Sequence, residues 1–293
     1  MAIGKIMKAL SGFYYVKDGE DVFQCRARGN FRKKKLTPLV GDIVEFAAEN
    51  PTDGYILSIL TRDNALERPP IANVDQALLV FSARRPDFDT GLLDRFLVCI
   101  EAHRLDILIC LTKMDLLDEE ALASFADIVD VYREIGYPIF LVSALNAQGL
   151  AELSQHLKDK TTVFAGQSGV GKSSLLNALN PSLSLETNEI SEALGRGKHT
   201  TRHVELLSVA DGLVADTPGF SSLDFSGIEA NDLAELFPEM AALAPDCKFR
   251  GCTHLAEPGC AVKQALLSGR IADFRYEHYR QFYDEIFTRK KRY

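Results

Sequence analysis

The chain has 293 residues, 46 % hydrophobic and 25 % charged, enough for about two globular domains and too apolar for a disordered polymer. Its 33 Lys and Arg against 41 Asp and Glu leave a net charge of −8, so any nucleic-acid contact has to come from local basic patches. No apolar run approaches the ~18 residues of a membrane helix, and residues 1–10 are too short and lysine-dotted for an export signal, so a cytoplasmic protein with no membrane partner is expected.

From Lys5 to about Leu60 short alternating stretches, such as Phe13–Val16 and Val22–Arg28, are separated by turn signals such as Asp18-Gly19. A further strand is expected over Val40–Phe46 and another over Tyr55–Ile59. About five strands in some sixty residues suit a small antiparallel barrel of the OB-fold kind, here expected over residues 1–63. Arg26, Arg28, Arg32, Lys33, Lys34 and Lys35 lie within ten residues that contain no acid, in a predicted loop of that barrel. A solvated loop is the ordinary reading of such a run. The barrel context and the neighbouring Phe31 favour attraction to RNA phosphates.

After Glu67-Arg68-Pro69-Pro70 the pattern changes to buried apolar strands alternating with helical stretches, the mark of an α/β domain with a largely parallel sheet, expected over 64–227. Strands are predicted at Ala77–Phe81, Ile107–Leu111, Ile139–Val142, Thr162–Ala165, Val204–Val209 and Leu213–Ala215. A helix is predicted at Leu92–Ala102, where Leu92, Leu93, Phe96, Leu97 and Ile100 share a face.

Four of these strands end in loops with matching chemistry. Thr112-Lys113-Met114-Asp115 closes the strand at Ile107–Leu111. Its aspartate can accept from the two adjacent donors that guanine presents, while adenine would leave the buried carboxylate unpaired. Ser143-Ala144-Leu145 ends the next strand, as a backbone-donor loop completing a guanine pocket does. Gly166-Gln167-Ser168-Gly169-Val170-Gly171-Lys172-Ser173, followed by Ser174, is a complete G-x-x-x-x-G-K-S between a predicted strand and a predicted helix. Its glycines let backbone N–H groups surround the β-phosphate, Lys172 meets the β- and γ-phosphates, and Ser173 offers a hydroxyl to Mg²⁺. Further on, Asp216-Thr217-Pro218-Gly219 sets a carboxylate at a strand end for Mg²⁺ and a Gly219 N–H for the γ-phosphate. D-x-x-G alone is usually a turn. After a phosphate loop and one intervening strand it reads as a switch.

In ordinary GTPases the base-selecting loops follow the phosphate loop; here they precede it, so the domain is circularly permuted. Such rewiring is tolerable because the site depends on strand ends meeting in space. It also joins the segment after Gly219 directly to the C-terminal unit rather than to more of the sheet.

Residues 228–293 lose the strand signal and are expected to form a helical unit, with an aromatic stretch through Phe274, Tyr279, Phe282, Tyr283 and Phe287. Cys247, Cys252, His254 and Cys260 supply three thiolates and one imidazole, a complete set for one structural Zn²⁺. Disulfides are the competing reading and are disfavoured in a chain of this length with no export signal. Cys25, Cys99 and Cys110 read as small buried hydrophobes. Arg289, Lys290, Lys291 and Arg292 form a basic tail.

The order T-K-M-D, S-A-L, G-Q-S-G-V-G-K-S, G-R-G-K-H-T-T, D-T-P-G and C-x₄-C-x-H-x₅-C after an N-terminal barrel resembles the circularly permuted, ribosome small-subunit-dependent GTPase A family of bacteria, over essentially the whole chain. The resemblance implies a GTPase, using GTP/GDP with Mg²⁺, that binds the small (30S) ribosomal subunit and its 16S rRNA and acts late in its maturation. It implies slow hydrolysis stimulated by the subunit. It also makes Gly195–Thr201 the first switch, with Thr200 or Thr201 as second Mg²⁺ ligand; Thr201 is taken as that ligand. Phe220 stands where signalling GTPases carry a water-orienting glutamine, so His199 or a ribosomal group is expected to position the water once the switch is ordered. The alternative is a nucleotide-gated rRNA-binding scaffold in which hydrolysis is not essential. A monomer is expected, since one GTPase domain carries a complete site.

Overall fold

Five strands, β1 (Ala2–Leu10), β2 (Phe13–Asp18), β3 (Asp21–Ala27), β4 (Ile43–Ala48) and β5 (Gly54–Ile59), close a barrel in the order β1-β2-β3-β5-β4 in a computed structural model that describes residues 1–28, 31, 36–67, 69–183, 204–216 and 224–290. Side chains alternate across a strand, and the inward set here includes Ile6, Val16, Cys25, Val44, Phe46 and Ile56, all buried. The expected antiparallel barrel forms, with one parallel seam between β3 and β5. A ring of five strands cannot alternate direction all the way round, so an odd barrel must contain a parallel pair. The strand expected over Val40–Phe46 begins only at Ile43. Gly41 is left-handed and lies so close to Ala72 that a Cβ would meet its carbonyl oxygen at 2.0 Å. The buried Asp42 accepts two hydrogen bonds from Arg62, at 2.7 and 2.8 Å. This turn joins the barrel to a short hairpin, β6 (Ala65–Leu66) and β7 (Ile71–Ala72), through a Val40–Ile71 bridge.

The central sheet contains β8 (Gln76–Ser82), β9 (Asp106–Thr112), β10 (Ile139–Leu141), β11 (Thr161–Ala165), β12 (Leu206–Val209) and β13 (Gly212–Asp216), in the order β10-β9-β8-β11-β13-β12. Every pair is parallel except β12–β13, an antiparallel edge. Strands β8 and β11 are buried throughout, which is why they read as continuous apolar runs. The helices of this region are α1 (Thr90–Glu101), α2 (Glu119–Ile135), α3 (Leu150–Leu157) and α4 (Lys172–Leu179). Asp89 and Asp118 cap α1 and α2 by accepting from Leu92 and Ala121 amides, and α2 stops at the left-handed Gly136.

The third region contains α5 (Pro238–Leu243), α6 (Ala261–Leu267) and α7 (Asp273–Lys290). Its core of Phe225, Leu233, Phe237, Val262, Tyr279, Phe282 and Ile286 also takes in Val98 of α1. Helix α1 is therefore covered on both sides: Leu93, Phe96, Leu97 and Ile100 pack towards the sheet, Val98 towards the C-terminal region. Between them lies a buried charge network. Arg275, 1 % exposed, donates to Asp94 at 2.6 Å and to both carboxylate oxygens of Glu239 at 2.7 and 3.0 Å. Tyr132 donates to Asp94 at 2.7 Å, and His278 Nδ1 lies 2.6 Å from its other oxygen. Cys25 and Cys110 are buried as expected, whereas Cys99 is only partly buried, with its sulfur 3.9 Å from the Asp224 carbonyl oxygen.

Candidate functional site

The carboxyl ends of β9, β10, β11 and β13 meet at one edge of the sheet, where open α/β sheets place their ligands. The central strand β11 runs into the glycine loop. Gly166 is left-handed and close enough to β8 that a Cβ would lie 2.1 Å from the Val80 carbonyl oxygen, so no larger residue fits there. Gly171 takes a left-handed conformation to start α4, which begins with Lys172 and carries Ser173 and Ser174 in its first turn. Lys172 Nζ donates to the carbonyl oxygens of Gly166 and Gln167 at 2.8 and 2.7 Å, which sets the ammonium inside the loop.

The Thr112–Asp115 loop is tied to the glycine loop directly. Thr112, 4 % exposed, donates to the Val170 carbonyl oxygen and lies 3.1 Å from that of Phe81. Lys113, in a left-handed conformation, donates to the carbonyl oxygens of Arg85 and of Gly169, the latter at 2.7 Å. Burial and the neighbouring Arg85 lower its pKa. Asp115 accepts from Ser143 Oγ at 2.5 Å, and the buried Met114 donates its amide to Val142. Leu145 stands 85 % exposed beside them. Two groups 28 residues apart in sequence, on different loops, thus share one carboxylate. On the other side, β13 pairs Asp216 with Phe164 of β11, so the backbone of Asp216 reaches the sheet edge next to the start of the glycine loop. Gly219 and the expected first-switch residues His199, Thr200 and Thr201 lie outside the described residues.

The second constellation is the cysteine loop. Ligand atoms of Cys247, Cys252, His254 and Cys260 all lie within 4.8 Å of one another, and no other group of this kind occurs among the described residues. His254 Nδ1 is 3.6 Å from Cys247 Sγ and 3.3 Å from Cys260 Sγ, and the two sulfurs are 3.9 Å apart. A tetrahedral ion with bonds of about 2.3 Å to sulfur and 2.0 Å to nitrogen spaces its ligands at roughly 3.5–3.8 Å, so the donor set fits zinc. Burial and the neighbouring thiols push the Cys252 thiol up to about 12, so it needs a cation beside it to ligate as a thiolate at neutral pH. Burial lowers the His254 pKa and keeps its ring neutral, as a ligand must be.

The surrounding shell fixes these groups. Tyr276 and Tyr279 donate to the carbonyl oxygens of His254 and Thr253, both at 2.6 Å. Glu257 collects hydrogen bonds from Thr253 Oγ1 and from the amides of Thr253, Leu255 and Ala256. Burial would raise its carboxyl pKa, but those bonds bring it down to about 2. Sequence reasoning does not pick out Tyr276 or Glu257, and it places Tyr279 only in an aromatic stretch. The sole signal for the tyrosines is the spacing of aromatic residues along α7.

A family model described as RsgA GTPase matches residues 59–226, and one described as RsgA N-terminal domain matches residues 3–56. The chain belongs to the RsgA GTPase family. It is a GTPase and binds guanine nucleotide. It is 60 % identical over 293 residues to the small ribosomal subunit biogenesis GTPase RsgA of Bacillus cytotoxicus and 58 % identical over 301 residues to that of Bacillus subtilis, with all of both chains covered in each case. Among solved structures it is similar to YloQ, described as a circularly permuted GTPase, with a TM-score of 0.85 and 52 % identity over 100 % of this chain and 97 % of that one. YjeQ from Thermotoga maritima gives a TM-score of 0.86 and 37 % identity over 98 % of each chain. The permuted order read from the motifs is thus shared with a solved relative.

Of the expected RNA-facing residues, Arg26 lies on β3 and Arg28 just beyond it, both exposed. Arg32, Lys33, Lys34 and Lys35 lie outside the described residues, as do Lys291 and Arg292 of the tail. Arg289 points back into the fold, donating to the carbonyl oxygens of Phe225 and Ile228. Among the described residues no helix is long and apolar enough to cross a membrane.

Proposed function

We propose that this chain is a GTP-driven switch that binds the small ribosomal subunit through its 16S rRNA and assists a late step of its maturation, turning over slowly alone and faster on the subunit. The observation that carries this reading is the knot at one sheet edge, where Thr112 bonds to Val170 and Asp115 to Ser143, attached to a barrel with exposed arginines. Relatives named small ribosomal subunit biogenesis GTPase, alike over the whole chain, support the partner.

In this reading Thr112–Asp115 and Ser143–Leu145 hold the guanine, Gly166–Ser174 hold the phosphates, and Lys172 neutralises charge that builds up on them. Ser173 and Thr201 would hold a Mg²⁺ ion, with Asp216 behind them; the ion supplies further charge neutralisation at the phosphates. His199 and Gly219 serve the hydrolytic step, His199 by orienting water. Cys247, Cys252, His254 and Cys260 hold one structural Zn²⁺. Arg26, Arg28, Arg32, Lys33, Lys34 and Lys35 meet rRNA phosphates. The chain works as a cytoplasmic monomer divided at about 63/64 and 227/228.

The test is GTP turnover by the purified protein alone, with small subunits and with large subunits, at one fixed salt concentration. Stimulation by small subunits only is expected. Equal rates in all three would overturn the partner while leaving the GTPase intact.

A further inference from the structure

The outer wall of the barrel carries a cross-strand row that charge alone does not pick out. Cys25 and Ile56 point into the barrel, so their neighbours Arg26 and Tyr55 point out. Pairing sets Phe13 of β2 opposite Arg26 of β3, and Arg26 opposite Tyr55 of β5. The Arg26 guanidinium carbon lies 4.8 Å from the Phe13 ring centroid, and Tyr55 is 42 % exposed. One step along the same face Tyr15 pairs with Gln24, and Arg28 follows Arg26 by two residues. Segments 13–17, 22–27 and 55–59 contain no acid in a chain whose net charge is −8. Among the described residues Arg26 and Tyr55 stay exposed, and the sheet joins the barrel at the neighbouring strand β1, through Lys5 to Thr161 and Lys8 to Glu205.

An arginine flanked on its two neighbouring strands by outward aromatic residues, with its guanidinium over one of the rings, matches the chemistry of an unpaired nucleobase. The base has a face to stack on the rings and the guanidinium, and its flanking phosphates meet the arginines. Duplex RNA hides its base faces and offers only backbone and groove edges, so it can use the arginines but not the rings. We propose that Phe13, Arg26 and Tyr55 form a stacking site for unpaired bases of single-stranded RNA on the barrel wall. The site rests on the reading of the barrel as rRNA-facing and adds to it which part of the RNA is taken: an unpaired, splayed segment.

The full-length protein is titrated with a labelled ten-nucleotide single strand and with a hairpin duplex of the same length, across a salt series. Phe13→Ala with Tyr55→Ala is expected to weaken single-strand binding about fivefold to a hundredfold per stacked base lost. The salt slope, duplex binding and GTP turnover stay unchanged. Phe13→Tyr with Tyr55→Phe keeps parental affinity, which separates loss of a ring from a disturbed barrel. Photocrosslinking to iodouridine is expected to put the adduct on Tyr55 or Phe13. Parental single-strand affinity in the double alanine variant, or equal loss for duplex, overturns the stacking site. If Arg26→Gln with Arg28→Gln still weakens binding in that case, the rRNA reading survives without it. If the parent binds neither RNA, the rRNA reading falls together with the site.

Discussion

The nucleotide edge and the cysteine loop each gather four or more functional groups, but different physics holds them. At the nucleotide edge the positions come from strand ends of a sheet whose inner strands are wholly buried, and the functional side chains described there bond to loop carbonyls and, for Asp115 and Ser143, to each other. In the cysteine loop the segments around the ligands are short helices and turns, and the four donors sit at the margin of the C-terminal core, which takes in Cys260. With zinc bound there, as proposed, function is inseparable from folding. Loss of one group should therefore disable chemistry in the first region and structure in the second.

The largest effect is expected in the loop. Structural zinc contributes roughly 10 kcal/mol to the folding of small domains. Cys260→Ser, or a strong chelator, should release one zinc per chain and expose the amides of α5, α6 and α7 to hydrogen exchange, while GTP binding persists. Unchanged protection in those helices would erase the contrast.

The two regions are coupled through α1, and the next effect lies in that joint. Arg275→Met leaves Asp94 buried without its strongest partner, a loss of about 3–5 kcal/mol. Thermal melting should fall by about 10 °C. Adding Asp94→Asn should recover part of it, because one of the two carboxylates that Arg275 held is then neutral while Glu239 stays unpaired by it. A double variant as unstable as the single one would show that Arg275 acts through packing on Phe237 and Tyr132.

Lys172→Ala sharpens the comparison from the other side. Affinity for GTP should drop about 100-fold or more, since a charged hydrogen-bond donor to phosphate is lost. Melting should move by less than about 2 °C, because the bonds described for the lysine go to carbonyl oxygens of its own loop. A large fall in melting temperature would mean that the phosphate loop, too, is held by its functional groups.

The smallest effect concerns the clasp between Arg95 and Glu285 at 2.9 and 2.5 Å, with Arg95 lying over Phe225 and Phe282. The hydrogen bond from Arg95 holds the Glu285 carboxyl below its ordinary range. The folded chain therefore gives up this proton more readily than the unfolded chain. The stabilisation is complete at neutral pH and is lost as pH falls through the lowered pKa. Glu285→Gln should cost no more than about 1 kcal/mol at pH 7, and its difference from the parent should close as pH falls through the lowered Glu285 pKa. A gap independent of pH would assign the clasp to packing.

Much of this was legible in the sequence, because short motifs encode local chemistry. Gly166–Ser173 needs glycine where the backbone turns left-handed against β8, so the loop announces itself by composition. Cys247, Cys252, His254 and Cys260 are close enough in the chain that spacing alone brings them together. The strands of the sheet, buried on both faces, read as apolar runs. What sequence could not give is whatever depends on partners far apart in the chain. Arg275 is an ordinary basic residue in a helix until Asp94, 181 positions earlier, is packed against it. Arg26 reads as one charge in a run until pairing sets it between Phe13 and Tyr55. The parallel seam of the barrel comes from the parity of a closed ring, which no single strand contains. Local backbone and ligand chemistry were set by the sequence; burial of charge and the neighbours across strands were decided only when the chain closed on itself.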